Sequence, residues 1–352
     1  PGAAADAVRC RMSTLDTYAE LRIAEGKLLR WDASTEKAAC ALQARDLEIL
    51  VALARYRFLT TGQIAELWWP GRGLRAVRRR MTRLFEAGFV ERFRPQTLRG
   101  AYQWTYCLAR NGFRAAQQTG DLPAALKYAP RREAIFDYRY VIHDLQTNEW
   151  VLRYRERLGD RLLDWAGPDE SRFLPPRRSR DESHMDLASI ILRDSGWDAY
   201  DVDDEWCRPV QPDAVLSIAS GAGDVDVLVE YDRTRRADKN FQKFLRYDTL
   251  LNVWWRTTEL QHPWLIFVCQ DSDHLRRLVL AADRELVGHL SGWTNDGRQQ
   301  RYFGRDRTLF VVDEGLRGDD VMAIRLPAFP PGHEHRKPPG SVRRMPLPGL
   351  GT

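Results

Sequence analysis

Three carboxylates in the second half of the chain have residue types and spacing that could bind a metal. Asp213 opens a predicted strand, and Glu230 and Asp232 end a second predicted strand. Glu230 follows Asp213 by 17 residues. Because side chains alternate along a strand, Glu230 and Asp232 share one face, with Val229 and Tyr231 on the other. Carboxylates at the end of an apolar strand need a compensating partner, and their oxygens suit Mg²⁺. A divalent cation such as Mg²⁺ or Mn²⁺ is therefore a predicted partner of these carboxylates.

The helix predicted after these strands offers positive charge to the same site. Lys239 and Lys243 lie at i and i+4, with Tyr247 one turn further on, so this helix can bring an ammonium group to the strand end. The candidate residues of this site are Asp213, Glu230, Asp232, Lys243 and Lys239, with Glu205 or Glu149 as weaker candidates to complete it.

The same carboxylates also have a structural interpretation, which stays open. Asp213 would begin a turn, because Pro-Asp is common turn chemistry. Glu230 and Asp232 would then pair with the arginines at 233, 235 and 236. Convergence of Asp213, Glu230 and a lysine would favour an enzyme, whereas carboxylates paired with arginines would favour a scaffold.

The elements that must position these residues alternate between helices and strands. Apolar residues at helical spacing predict the helices, and short continuous apolar runs predict buried strands. A polar, proline-containing loop is predicted over 167–183. The predicted order is helix 131–158, strands 198–206, 213–218 and 225–232, helix 239–251, strand 264–269, helix 272–287 and strand 308–312.

Residues from about 45 to 110 are predicted to form a winged-helix DNA-binding domain. A threonine at 60 or 61 suits the N-cap of the second helix, and Gly88 suits the C-cap of the third. The predicted helices cover 45–58, 63–68 and 74–86, and the predicted hairpin strands cover 89–93 and 101–108. Three helices followed by a hairpin is the order of a winged helix.

Positive charge is concentrated in this domain, where segment 72–99 holds nine arginines and two glutamates. A helix face that carries one sign of charge suits phosphates and guanine edges in the major groove of double-stranded DNA, and the hairpin tip suits the flanking backbone. A solvated surface and a protein-binding winged helix are the alternatives. The predicted DNA-binding residues are Arg72, Arg75, Arg78, Arg79, Arg80, Arg83, Arg94 and Arg99.

The order helix, three strands carrying PD…ExD, helix with lysine and strand resembles the PD-(D/E)XK nuclease superfamily. With the winged helix and the stretch Tyr106–Gly112 (YCLARNG), residues from about 45 to 315 resemble the replication-relaxation family of plasmid- and mobile-element-encoded proteins. The resemblance implies an α/β protein, in which the winged-helix domain precedes a nuclease-like α/β domain with a mixed central sheet.

The resemblance also implies roles for individual residues. Asp213 and Glu230 would be the metal ligands of a phosphodiester hydrolysis in which the metal activates water. A lysine would normally stand at position 232, where it stabilises the attacking water and the scissile phosphate. Asp232 breaks that motif, so Lys243 or Lys239 would have to supply the charge from the next helix.

The chain is predicted to contain four segments. They are a helical N-terminal extension over 1–44, the winged-helix domain over 45–125, the nuclease-like domain over 131–326 and a disordered, proline-rich tail over 327–352. The tail is assigned from its low apolar content, which cannot offset the entropy lost on ordering.

Composition favours a cytoplasmic protein. The five cysteines are far apart and form no CxxC pair, which argues against a disulfide framework or a zinc site. Neither an apolar run of about 18 residues nor a secretory leader is found, so no membrane association is expected. A Walker-type phosphate loop is also missing, so no nucleotide cofactor is expected.

The leading prediction is a DNA-processing protein of a mobile element, either a metal-dependent nuclease or a degenerate nuclease, acting in plasmid replication or transfer. The alternative is a non-enzymatic transcriptional regulator or replication accessory factor, whose second domain serves as a scaffold or dimerisation module. A homodimer stays open in both cases.

Overall fold

The computed structural model describes residues 28–33, 38–97, 100–101, 103–131, 138–175, 208–221, 223–233, 237–286, 303–318, 321–327 and 342–351. The chain divides into two compact units, 1–149 and 150–352. Within the described ranges, no helix is both long enough and apolar enough to cross a bilayer. The predicted four-segment boundaries stay predictions.

The first unit contains helices and short antiparallel strands, and three helices precede the strands of the predicted hairpin. Its elements are β1 (Leu28–Asp32), α1 (Ala44–Tyr56), β2 (Leu59–Thr60), α2 (Thr61–Trp68), α3 (Leu74–Glu86), β3 (Val90–Thr97), β4 (Gly100–Ala101), β5 (Thr105–Leu108), α4 (Arg110–Gln117) and the first part of α5 (Tyr138–Leu158). The winged-helix assignment itself stays a prediction.

Local sequence explains where the helices of this unit begin and end. Thr60 accepts from the backbone N–H of Gln63 (3.2 Å), and the Gln63 side chain accepts from the N–H of Thr60 (2.9 Å), so a capping box starts α2. Helix α3 buries Val77 and Met81 along one face. It is followed by Gly88 at φ +82°, the left-handed conformation that glycine adopts most readily.

The N-terminal extension contains a strand, which corrects the prediction of a helical segment over 1–44. Strand β1 pairs antiparallel with β3, and its last residue, Asp32, lies opposite Arg92. The partner strand begins almost 60 residues later in the sequence, so local propensity could not reveal the pairing. The side chains of Leu28–Trp31 lie outside the described part of the structure.

The second unit is built on a seven-stranded mixed sheet, which confirms the predicted α/β class. Its strand order is β12-β11-β10-β9-β8-β7-β6. The elements are the end of α5, β6 (Leu162–Ala166), β7 (Ala214–Ile218), β8 (Val225–Asp232), α6 (Ala237–Thr249), β9 (Trp264–Cys269), α7 (Ser272–Glu285), α8 (Phe303–Asp306), β10 (Thr308–Val312), β11 (Met322–Arg325) and β12 (Arg343–Pro346).

Strand direction in this sheet changes at β8. Strands β6, β7 and β8 are antiparallel to one another, whereas β8, β9 and β10 are parallel. A parallel connection needs a crossover, and α6 and α7 lie in the two crossovers. One face of the sheet packs against these helices through a buried cluster that includes Leu228, Phe244, Phe267 and Leu278.

The sheet contains strands that the sequence did not reveal. Strand β6 was not predicted, and the strand predicted over 198–206 lies outside the described residues. Strands β11 and β12 were also missed, and β12 corrects the prediction of a disordered tail over 327–352 for its last residues. Leu347 is 1% exposed and the Tyr154 hydroxyl donates to the carbonyl of Pro348 (2.5 Å), so packing against the unit orders this short segment despite its composition.

Candidate functional site

Asp213 and Glu230 lie side by side at one end of the antiparallel pair β7–β8. The register pairs Ala214, which follows Asp213, with Val229, which precedes Glu230, and Asp213 is close enough for its charge to act on the Glu230 carboxyl. Asp213 is fixed by two backbone contacts: its N–H donates to the carbonyl of Val229 (2.9 Å) and its Oδ2 accepts from the N–H of Tyr231 (2.8 Å). The turn therefore aims the Asp213 carboxylate along the end of β8.

Glu230 is held by two donors from α6. Lys243 Nζ donates to Glu230 Oε2, and the Tyr247 hydroxyl donates to Oε1. The two donors are four residues apart and so lie on one face of the helix. Glu230 itself is only 2% exposed. Lys243 thus reaches the strand end from the next helix, as predicted. Its catalytic role stays a prediction.

Asp232 lies on the same face of β8 and contacts a buried histidine. His274 Nε2 is 3.5 Å from Asp232 Oδ2, and the two side chains are 3% and 4% exposed. The other ring nitrogen, Nδ1, accepts from the N–H of Gln270 (3.3 Å), which orients the ring with Nε2 toward the carboxylate. Tyr231 points to the opposite face, where Asp313 is a neighbour, so strand alternation holds here as predicted.

The charges of the site interact strongly. Burial raises the pKa of Glu230, Lys243 opposes this effect, and the nearby Asp213 carboxylate adds to it. Burial works against the charge of Lys243, but the carboxylates of Glu230, Asp213 and Asp232 raise the pKa of its ammonium group above the usual value. The carboxylates of Glu230, Asp213 and Asp232 thus all act on the ammonium group of Lys243.

Asp213 and Glu230 offer the kind of oxygen ligand that a hard divalent cation prefers. Among the described residues, no group of three or more His, Cys, Asp or Glu side chains could hold a metal. Any cation at this pair would receive carboxylate oxygens from two residues only. This suits Mg²⁺, which keeps several waters and commonly uses one or two carboxylates together with substrate phosphates.

The other predicted members of this site lie outside the described residues or in the first unit. The side chain of Lys239 and the whole of Glu205 lie outside them, as do Arg235 and Arg236. Glu149 belongs to the first unit, where its Oε2 accepts from Gln63 Nε2 at 3.5 Å. Lys243 is thus the lysine that the structure places on a predicted metal ligand.

The second candidate surface is the outer face of α3 in the first unit. Its arginines project away from the buried residues Val77, Met81 and Leu84. No acidic residue lies in the first turn of the helix, so its N-terminal half presents positive charge alone. The exposed members are Arg72, just before the helix, and Arg75, Arg78, Arg79 and Arg83.

Arg80 is held within the protein rather than presented on this surface, unlike the placement predicted for it. Its Nε donates to Asp46 Oδ1 (2.7 Å), and a second guanidinium nitrogen donates to Asp46 Oδ2. The carboxylate of Asp46 is 1% exposed. The sequence pattern of α3 could not reveal this contact, because Asp46 belongs to α1. Among the described contacts, Arg80 is the only arginine that reaches this buried carboxylate.

Hairpin arginines stack on aromatic rings. The Arg92 guanidinium lies 4.2 Å from the centroid of Phe85 and 4.4 Å from that of Trp104, and Arg94 also lies 4.4 Å from Trp104. Arg92 Nε donates to Asp32 (3.1 Å). Of the two predicted hairpin contacts, Arg94 therefore sits on Trp104, while Arg99 lies outside the described residues.

Comparison with protein families identifies the chain. A family model described as Replication-relaxation matches residues 50–261, which is more than half of the chain. The chain belongs to the Replication-relaxation family. This confirms the resemblance stated from the sequence, and the match includes α3 of the first unit together with Asp213, Glu230 and Lys243 of the second.

Other comparisons add little to the family assignment. Among curated proteins, no sequence matches this Replication-relaxation protein significantly. Among solved structures, restriction endonuclease FokI bound to DNA is similar at 12% sequence identity and a TM-score of 0.19, over 79% of this chain and 45% of that chain. The chain thus spans less than half the length of that structure.

Two residues of the candidate site in this Replication-relaxation protein were not selected from the sequence. Tyr247 lies one turn after Lys243, a spacing that predicts a shared helix face but gives no role to the hydroxyl. His274 begins α7, 42 residues after Asp232, and no local spacing connects the two. The parallel pairing of β8 with β9, which sets Asp232 beside Cys269, is what brings the start of α7 to Asp232.

Proposed function

We propose that this protein binds double-stranded DNA through the outer face of α3. The observation that carries the proposal is the set of exposed arginines on one side of that helix, opposite its buried apolar residues. Guanidinium groups pair with phosphates and make two-pronged contacts to guanine in the major groove. Arg80 takes no part in this surface, because Asp46 holds it.

A binding measurement with labelled duplex DNA tests this proposal. Fluorescence anisotropy at several salt concentrations should show an affinity that falls steeply as salt rises, because phosphate contacts release counterions. Binding that is absent at low salt would contradict the proposal. Binding with no salt dependence would show that the arginine surface is not the site.

We further propose that the second unit carries a metal-dependent phosphodiesterase site at Asp213, Glu230 and Lys243. The supporting observation is the proximity of Asp213, whose charge acts on Glu230, together with the contact of Lys243 with Glu230. A divalent metal, when bound, would polarise the phosphate and activate water. The water oxygen would bond to phosphorus as the bond to the leaving sugar oxygen breaks, and that oxygen would take up a proton.

The residues of the chain have separate parts in this proposal. Asp213 and Glu230 hold the cation, and Tyr247 keeps one oxygen of Glu230 in place. Lys243 supplies a positive charge to the phosphate, the part that a lysine at position 232 would otherwise play. Asp232 stands at that position instead and is turned toward His274.

Cleavage of supercoiled plasmid DNA in Mg²⁺ or Mn²⁺ tests this second proposal. The wild-type protein should nick or linearise the plasmid, and Asp213→Asn and Glu230→Gln should each abolish cleavage while duplex DNA binding, measured without divalent metal, persists. Cleavage that survives both substitutions together would place the chemistry elsewhere.

A non-enzymatic DNA-binding role is the competing candidate, and one observation favours it. Asp232 adds a third carboxylate to a site that must accept a phosphate, and like charges repel. A protein that binds DNA but leaves linear, supercoiled and single-stranded DNA intact with either metal would support this regulator role.

A further inference from the structure

The two donors that hold Glu230 differ in how easily they can leave it. Tyr247 is 2% exposed, and its ring packs edge-on against Phe267 with centroids 6.2 Å apart. The Lys243 side chain is 36% exposed. Another cation that requires an oxygen of Glu230 therefore displaces Lys243 rather than Tyr247.

Displacement of Lys243 from Glu230 moves a full positive charge, because a lysine side chain open to solvent is an ammonium group at neutral pH. A second cation at Glu230 would repel that charge at short range. The ammonium group then needs an anionic partner outside the carboxylate pair, and a DNA phosphate is such a partner.

We propose that Lys243 is a displaceable internal counter-ion. Its ammonium group blocks the binding of divalent cations to Glu230 until it pairs with a DNA phosphate instead. The inference rests on the proposed phosphodiesterase site and adds a regulation to it. Two ligands that each favour the same displaced lysine must each strengthen the binding of the other. The protein would then acquire its cation mainly when DNA is present.

A lysine that acted only in catalysis would not weaken metal binding, whereas a counter-ion at Glu230 does. Removing its charge should strengthen metal binding in the absence of DNA, because the competitor for Glu230 Oε2 is gone. Loss of a positive charge elsewhere on α6 should have little effect. Arg246, exposed on the same helix, is a matched control for a general change of charge.

Mn²⁺ binding to the full chain, followed through the EPR signal of the free ion, tests the proposal. Lys243→Met should bind Mn²⁺ roughly tenfold more tightly than the wild type without DNA, a factor within the usual range of coupling between sites. Lys243→Gln, which keeps a hydrogen-bond donor near Glu230 but no charge, should also bind Mn²⁺ more tightly than the wild type without DNA. Arg246→Met should match the wild type, and Asp213→Asn should remove the binding in every background.

Duplex DNA provides the second arm of the same experiment. It should tighten Mn²⁺ binding to the wild type by a similar factor of about ten, and tighten binding to Lys243→Met much less. If both Lys243 variants bind Mn²⁺ no better than the wild type, while Asp213→Asn still abolishes binding, the counter-ion role is wrong and the metal site stands. If no variant binds Mn²⁺ with or without DNA, both proposals fail.

Discussion

Lys243 contacts Glu230 across the end of β8, from a helix that begins only after that strand has ended. The contact sets an ammonium group on one oxygen of a nearly inaccessible carboxylate, while Tyr247 takes the other. Because the charge of Asp213 also acts on Glu230, two carboxylates, an ammonium group and a phenol hydroxyl lie close together. The proposed nuclease chemistry would use this arrangement.

Removing three arginines from α3 should weaken DNA binding mainly through its salt dependence. We expect Arg75→Ala, Arg79→Ala and Arg83→Ala together to flatten the slope of log affinity against log salt by about 2–3 units, since each lost phosphate contact removes about 0.9. Anisotropy titrations between low and moderate salt measure this slope. Alanine at three exposed arginines of the second unit, Arg277, Arg343 and Arg344, is the matched control. An equal change in the control would show only a non-specific effect of net charge.

Replacing Arg80 should damage stability rather than DNA recognition. Arg80→Ala leaves the carboxylate of Asp46, which is 1% exposed, without its guanidinium partner. Removing one member of a buried ion pair destabilises a protein by about 3–5 kcal/mol. Urea unfolding measures the loss, and Arg79→Ala, an exposed neighbour on the same helix, should change stability by less than about 0.5 kcal/mol. Equal stabilities for the two variants would contradict the structural role of Arg80.

Sequence reasoning succeeded where the determinants are local. The capping box of Thr60 and Gln63 and the apolar face of α3 can be read from residues a few positions apart, and the apolar run of β9 is recognisable by itself. Strand β1 and strand β12 could not be predicted in this way, because each depends on an edge supplied by a distant segment. The same limit applies to Arg80, whose partner Asp46 is 34 residues earlier.

The candidate site shows the same division. The pattern of Asp213, Glu230 and Asp232 follows from strand alternation, and a lysine on the next helix follows from helical spacing. Spacing alone could not decide between Lys239 and Lys243, since they lie on one helix face. His274 was beyond prediction, because only the parallel pairing of β8 and β9 brings the start of α7 to Asp232.

Asp248 should make the stability of the second unit depend on pH. Burial raises its pKa from 3.8 to about 7, against the opposing effects of Asn252 and Arg305. A folded-state pKa above the unfolded value means that the folded protein binds the extra proton, so stability falls as pH rises from about 4 to about 7 and is then constant. Asp248→Asn should therefore gain about 2–4 kcal/mol relative to the wild type between pH 4 and pH 8.

Thermal or urea unfolding of both proteins across that pH range checks the prediction. The quantity to compare is the difference between the two unfolding free energies, because all other titrating groups cancel in it. A difference that does not change between pH 4 and pH 8 would contradict the assignment of a raised pKa to Asp248.

Glycine at position 349 should be required for docking the C-terminal segment. Gly349 has φ +77°, and a Cβ atom there would lie 2.6 Å from Leu158 Cδ2 and 2.7 Å from Ile218 Cγ2. Gly349→Ala therefore combines backbone strain with overpacking and should destabilise the protein by about 1–3 kcal/mol. Gly318→Ala, where nothing lies within 4 Å, is the control. Unchanged unfolding free energy in Gly349→Ala would show that the segment is not docked as described.

The position of a bound cation tests the central claim most directly. Crystals of the full chain with a short DNA duplex, soaked in Mn²⁺, should give an anomalous difference peak within about 2.5 Å of carboxylate oxygens from Asp213 and Glu230. Lys243 should have left Glu230 and turned toward a phosphate. A structure with DNA bound and Mn²⁺ in excess, but with no peak at these carboxylates and with Lys243 still on Glu230, would contradict the account.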